Sequence, residues 1–324
     1  MFAGGPTLRV IKENLMAGIV IVSANGLSKR YPRCLALDNV TFAIEKGEIV
    51  GLVGKNGAGK TTLIRVLTGV VEPTSGTYSL FGISDPKKLV PLRKRIAAMV
   101  ETPALYENMT PHQNMMTRCL LMETPNPEKS GYIQKILDFV GLSGSYNDRR
   151  KIKNYSLGMR QRLGIAMAMV GDPELMILDE PTNGLDPEGI KQIRELLLKL
   201  NHEKGITMII SSHILAELEK FATSYLFVDH GKLLKQISAE DLEKQAGKAL
   251  SLKTSDNPKA LSLLLAKGLM VSLSGDTLLV VNLKDPTIAL NALAEAQISL
   301  LDMKVSDNGL EDFYVNLVGG RAIL

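Results

Sequence analysis

EIVGLVGKNGAGKTTLIRVLTG, Glu48 to Gly69, is the stretch that decides the fold. Glu48 to Val53 reads as a short buried strand, and Lys60 to about Leu67 as the helix that follows. Between them, Gly54, Gly59, Lys60 and Thr61 satisfy the eight-residue phosphate-loop spacing. Glycines let backbone N–H groups turn inward around phosphate oxygens, and a helix N-terminus adds partial positive charge. This makes Gly54, Asn56, Gly57, Ala58, Gly59, Lys60, Thr61 and Thr62 the candidate nucleotide contacts. Lys60 reaches the outer phosphates and the Thr61 hydroxyl can ligate Mg²⁺. A plain glycine-rich turn is the competing reading, but the full pattern in a strand–loop–helix setting favours the phosphate site.

A second stretch, LMILDEPTNGLDPEG (Leu175 to Gly189), supports the first. Leu175 to Leu178 is an apolar run of the kind found in buried parallel strands, whose C-terminal ends bind ligands. It ends at Asp179, placed to hold Mg²⁺, and Glu180, placed to orient or deprotonate an attacking water. A third strand, Ile206 to Ile210, runs into SSHILAEL, which puts His213 at the same sheet edge as a candidate γ-phosphate contact. His112, His202 and His230 lack such a setting and read as structural.

Composition narrows the classes. Of 324 residues, 45% are apolar and 22% charged, enough to bury a real core. A net charge of +4 gives no reason to expect nucleic acid as a partner. Cys34 and Cys119 lie far apart without metal-ligand spacing, which suggests a reduced, cytosolic protein. No segment approaches the roughly 20 apolar residues that span a bilayer, so a membrane role needs another chain. The start, MFAGGPTLRVIKEN, lacks the apolar core of a signal peptide. Residues 1–18 are expected to be an N-terminal extension, with 1–15 loosely held or with Met16 as the true start.

NYSLGMRQRLGIAMAMV (Asn154 to Val170) puts small donors and two arginines at the mouth of an apolar helix, with no reactive group. Leu163, Ala166, Met167 and Val170 make an apolar face, so a capped core helix accounts for part of it. In order and context, the phosphate loop, Ser156 to Met159, Asp179-Glu180, Asp186 and His213 resemble the nucleotide-binding subunit of an ABC transporter. The resemblance covers about Ile19 to Lys235. It implies an α/β P-loop NTPase with a RecA-like core, antiparallel β and helical subdomains, and ATP with Mg²⁺ as cofactors. It also implies that Ser156, Gly158 and Met159 serve ATP held by a second ATPase subunit, either an identical copy or a close paralogue. The family pattern Leu-Ser-Gly-Gly-Gln departs here to Tyr155-Ser156-Leu157-Gly158-Met159, with Gln161 two residues later.

The same resemblance makes Tyr31 the aromatic that stacks on adenine. It assigns Asn183 to Asp186 to the loop that touches the opposite subunit, although Asp186-Pro187 can also simply start the next helix. Residues of about 102–154, with a helix over Tyr132 to Val140, become the helical subdomain that receives a separate transmembrane permease. The chain is then expected at the inner face of the cell membrane, held by that permease. Where the family has glutamine, IAAMVETPALYENMT places Glu101, a candidate Mg²⁺ ligand and catalytic residue. That glutamate resembles ATPases of lantibiotic and bacitracin self-protection exporters.

A nucleotide-binding domain over 19–240 is thus expected, followed by a small α+β accessory domain over 241–324. In the latter, Ala249–Lys253, Asp276–Leu283 and Ile298–Val305 read as strands; Pro258–Lys267, Pro286–Ala296 and Leu310–Leu317 read as helices. A GTPase switch is disfavoured because no guanine motif is present. A ribosome- or DNA-acting relative would need a second cassette or a long coiled coil. A binding-only regulatory subunit would not need Lys60, Asp179 and Glu180 intact.

Overall fold

The computed structural model describes residues 18–100, 102–246, 248–283, 285–307 and 309–319. Glu101 and all of the expected N-terminal extension except Gly18 lie outside them. The chain divides into two compact units, residues 18–213 with 228–233, and 214–227 with 234–319.

The first unit holds two sheets. Strands β1 (Val20–Tyr31) and β2 (Cys34–Glu45) form a hairpin turned at Pro32-Arg33, and β4 (Ser75–Leu80) pairs with the other edge of β1, all antiparallel. Val40, Phe42 and Ile44 are buried while Thr41 and Ala43 are exposed, the period-two pattern of a sheet with one covered face. In the second sheet, β5 (Ile96–Met99), β6 (Leu175–Asp179), β7 (Thr207–Ser211) and β3 (Ile49–Val53) run parallel in that order. Every residue of β3, β6 and β7 is buried, as expected of strands covered on both faces. Strands β8 (Ser224–Asp229) and β9 (Lys232–Ser238) complete this sheet beyond β3, and the division between units falls within them.

Helix α1 (Lys60–Leu67) leaves the β3 loop, and α2 (Pro86–Leu92) follows β4. Helix α3 (Pro111–Leu121) starts from a capping box in which Thr110 and Gln113 satisfy each other's backbone N–H. With α4 (Tyr132–Phe139), it packs on α5 (Leu157–Met169). Helix α5 begins at Leu157, two residues before the start near Met159 that the family resemblance implies, because the Ser156 hydroxyl accepts the Met159 N–H at 3.2 Å. Leu163, Ala166 and Val170 of the expected apolar face are buried and Met167 is half-buried; from Gln161 on, burial extends beyond that face to Gly164, Ile165, Ala168 and Met169. Helix α6 (Pro187–Lys204) links β6 to β7.

The second unit contains α7 (Leu215–Leu218) and α8 (Ala239–Ala246). It then runs β10 (Lys248–Thr254), α9 (Asn257–Ala266), β11 (Met270–Ser274), β12 (Thr277–Leu283), α10 (Thr287–Glu295), β13 (Leu300–Asp307) and α11 (Leu310–Gly319). From β10 to β13 this is a split β-α-β-β-α-β motif. Its antiparallel sheet is ordered β11-β12-β10-β13. Leu250, Leu252, Leu278 and Val280 face Ala260, Leu264, Ala289 and Leu293 in one core. Strand β11 was not among the expected elements.

Candidate active site

The loop between β3 and α1 borders a cavity of about 600 Å³. Its wall includes Tyr31, Asn56, Gly57, Gly59, Lys60, Thr61, Thr62, Asp179 and Glu180. Two glycines are required for different reasons. A Cβ on Gly54 would lie 2.4 Å from the Val228 carbonyl oxygen, so the strand could not approach. Gly59 has φ +109°, a left-handed backbone, and a Cβ there would meet the Ala36 carbonyl oxygen at 2.6 Å. Gly59 launches α1, whose first turn carries no acidic residue, so its positive end is left for an anion.

Lys60 is only 8% exposed. Its ammonium donates to the carbonyl oxygens of Gly54 at 2.5 Å and Lys55 at 3.2 Å. Burial lowers its pKa, against the opposing pull of Glu180 and then Asp179. A cation desolvated in this way favours a phosphate as its counter-charge.

Strand register organises the carboxylates. Asp179 pairs with Ser211 across β6 and β7, and both are buried. The Ser211 hydroxyl donates to Asp179 Oδ1, and Thr61 Oγ1 donates to Oδ2 at 3.4 Å. The Glu180 N–H donates to both the Ser211 carbonyl oxygen (3.2 Å) and its Oγ (3.1 Å). Glu180 itself has φ +52°, the left-handed region, at the point where β6 ends. Its Oε2 lies 2.6 Å from His213 Nδ1 and accepts the His213 N–H at 3.2 Å.

A hydroxyl and a carboxylate from different elements converge on the cavity. No cluster of three metal-ligating side chains exists among the described residues. Two hard oxygen donors with room for phosphate oxygens and water suit Mg²⁺, which rarely takes an all-protein cage.

The structure thus gathers Tyr31, the loop, Thr61, Thr62, Asp179 and Glu180 around one cavity, and His213 meets it through Glu180. Gly54 and Ala58 belong to the loop without lining the cavity. Ser156, Gly158, Met159 and Asp186 do not line it either. Ser156 caps α5, and Asp186 caps α6 by accepting the Gly189 N–H at 3.0 Å. Behind Ser156, the buried Tyr155 donates its hydroxyl to Asp148 at 2.8 Å, and Arg160 holds the Tyr155 carbonyl oxygen at 3.2 Å. Gln161 donates to the Pro181 carbonyl oxygen at 2.6 Å, which ties α5 to the segment after Glu180. Tyr31 lies under the Lys29 ammonium, 5.3 Å from the ring centroid.

Sequence reasoning missed Ser211, whose role depends on the register of two strands. It also left His230 as structural, whereas His230, Gly231 and Cys34 line the cavity.

Comparison with known proteins agrees with this geometry. A family model described as ABC transporter matches residues 37–183. The bacitracin transport ATP-binding protein BcrA of Bacillus licheniformis is 37% identical over 94% of this chain and 99% of its own length. The lantibiotic transport ATP-binding protein SrtF of Streptococcus pyogenes is 40% identical over 66% of this chain and 89% of its own. A solved ATP-binding subunit of an ABC transporter is 30% identical. It superposes with a TM-score of 0.60 over 69% of this chain and 92% of that one.

Proposed function

The chain belongs to the ABC transporter family as a transport ATP-binding protein and ATPase, and on that premise we propose that two copies close around two ATP molecules to drive export of antimicrobial peptides through a separate membrane permease. No helix of the described residues is long and apolar enough to cross a membrane. The permease would therefore supply the spans and hold the ATPase at the inner membrane face.

The observation that carries the composite site is the placement of Ser156. Its hydroxyl stands exposed at the positive end of α5, yet outside its own chain's cavity. A helix mouth of this kind, with Gly158 beside it, suits an anion brought by another molecule. In this reading, Lys60 and the loop amides hold the β- and γ-phosphates of one ATP, and the partner's Ser156 closes on it. Tyr31 stacks on the base. Thr61 and Asp179 would hold Mg²⁺, which would neutralise phosphate charge. Glu180 orients the attacking water, and His213 leaves its bond to Glu180 to meet the γ-phosphate. Catalysis is then positioning and charge neutralisation. Peptide export rests on the likeness to bacitracin and lantibiotic transport proteins. Glu101 is kept as a proposed Mg²⁺ ligand that couples hydrolysis to transport.

Glu180→Gln tests the reading. The variant should bind ATP normally, lose nearly all turnover and elute as an ATP-dependent dimer. Turnover at the wild-type rate would remove Glu180 from the mechanism. For cargo, cells with the complete system should outgrow cells carrying the Glu180→Gln variant under bacitracin or a lantibiotic. Equal growth across a peptide panel would overturn the export reading.

A further inference from the structure

Among the described residues, one edge of the second unit's sheet is unpaired: β13 is its last strand and pairs only with β10. Met303 and Val305 sit opposite Leu252 and Leu250, on the side that carries the core. Leu252 and Leu250 are fully covered, whereas Met303 and Val305 remain 43% and 44% exposed, and Leu301 62%. Edge strands are usually blunted by charged side chains, a bulge, proline or cover; this one carries Asp302, Lys304 and a register shift at Leu301, yet still presents an apolar row. Asp302 and Lys304 alternate with that row. The Met303 N–H is met at 2.8 Å by the carboxylate of its neighbour Asp302. Lys253, which faces Asp302 across the strands, is already bonded to Asp276 at 2.6 Å.

We propose that β13 pairs antiparallel with β13 of a second copy of this chain, about a twofold axis at Met303. The run Leu301-Asp302-Met303-Lys304-Val305 is self-complementary in that register. Asp302 falls opposite the partner's Lys304, and Lys304 opposite the partner's Asp302. Leu301 meets the partner's Val305, and Met303 meets its own equivalent. The symmetry makes the contact isologous and closed. A strand from an unrelated protein would have no reason to match a charge pattern that inverts about its own centre. The contact needs no nucleotide and so goes beyond the reading of the ATP site. It would keep a second ATPase chain at high effective concentration between turnovers.

The test is sedimentation velocity of the full chain without nucleotide. Wild type should self-associate. Lys304→Glu should weaken association about tenfold or more, because two cross-strand pairs turn from opposite to like charge; Asp302→Lys should do the same. An equimolar mixture of the two variants should recover the dimer, since both cross-axis pairs become opposite in the heterodimer. Met303→Cys, in a background with exposed Cys34 changed to serine, should crosslink to its own equivalent on oxidation. Circular dichroism and thermal melting verify that each variant folds. A wild type that stays monomeric, an unaffected Lys304→Glu, a mixture no better than its parts, or a Met303→Cys chain that never self-crosslinks would each overturn the proposal. ATPase activity measured on the same preparations tests the ATP-site reading separately.

Discussion

Ser211→Ala removes one hydroxyl from a residue with no exposed surface. Two bonds go with it: the one given to Asp179 Oδ1 and the one accepted from the Glu180 N–H. The second loss is cushioned, because the Ser211 carbonyl oxygen still accepts that N–H at 3.2 Å. The first is not, since Asp179 is 4% exposed and water cannot readily replace the donor. A hydrogen bond to a buried charged group contributes about 1.5–3 kcal/mol. At about 2–4 °C per kcal/mol for a chain of this class, the melting temperature should fall by roughly 3–12 °C. Urea titration with and without the substitution measures the same difference. A double-mutant cycle with Asp179→Ala should return a coupling of about 1.5–3 kcal/mol, since the two side chains share the lost interaction. The freed Asp179 carboxylate should also bind Mg²⁺ with looser geometry, so half-maximal ATPase should need more Mg²⁺. A coupling below about 0.5 kcal/mol, the usual limit of additivity, would show that Ser211 does not hold Asp179.

Lys60→Ala should weaken ATP binding by about 10- to 100-fold, the loss of a charge-assisted contact to phosphate; calorimetry reads it directly. Gly158→Ala separates folding from assembly. A Cβ there meets only Leu185 Cδ2 at 3.9 Å, so the fold should tolerate it or gain up to about 1 kcal/mol from helix propensity, while ATPase activity falls if a partner's ATP must approach that backbone. The Asp148 carboxyl is held at about 2, below its usual 3.8, chiefly by its hydrogen bond to Arg150. A depressed carboxylate contributes stability above its unfolded value and loses it as pH falls through the folded one. The entry to α5 should therefore weaken between about pH 4 and 2, and Asp148→Asn should flatten that part of the acid-unfolding curve by about 1 kcal/mol, after discounting for solvent screening.

Local chemistry made the phosphate loop legible, since glycine, lysine and threonine at fixed spacing leave few alternatives between a strand and a helix. Asp179, Glu180 and His213 were legible because apolar runs end just before them. Ser211 was not: a serine closing a strand looks ordinary until Asp179 is known to lie beside it, and that register is set between segments about thirty residues apart. Strand β11 was missed because MVSLS is short, mostly exposed over Met270 to Leu273 and starts two residues after Gly268. The two-residue shift at α5 has a similar origin. Ser156 was read for what it offers a partner, and its bond to the Met159 N–H also makes it the cap of its own helix.

The left-handed backbone at Glu180 has an evolutionary consequence. For a residue with a side chain, that conformation costs on the order of 1–2 kcal/mol, and glycine would relieve it. Under the proposed mechanism, Glu180→Gly is therefore both a loss of the carboxylate that would orient water and a relaxation of the chain. Selection for stability alone would push this position toward an inert protein. A lineage released from the need to hydrolyse ATP has a downhill route at residue 180, so a glutamate kept here reports continued use of the carboxylate more directly than an unstrained position could.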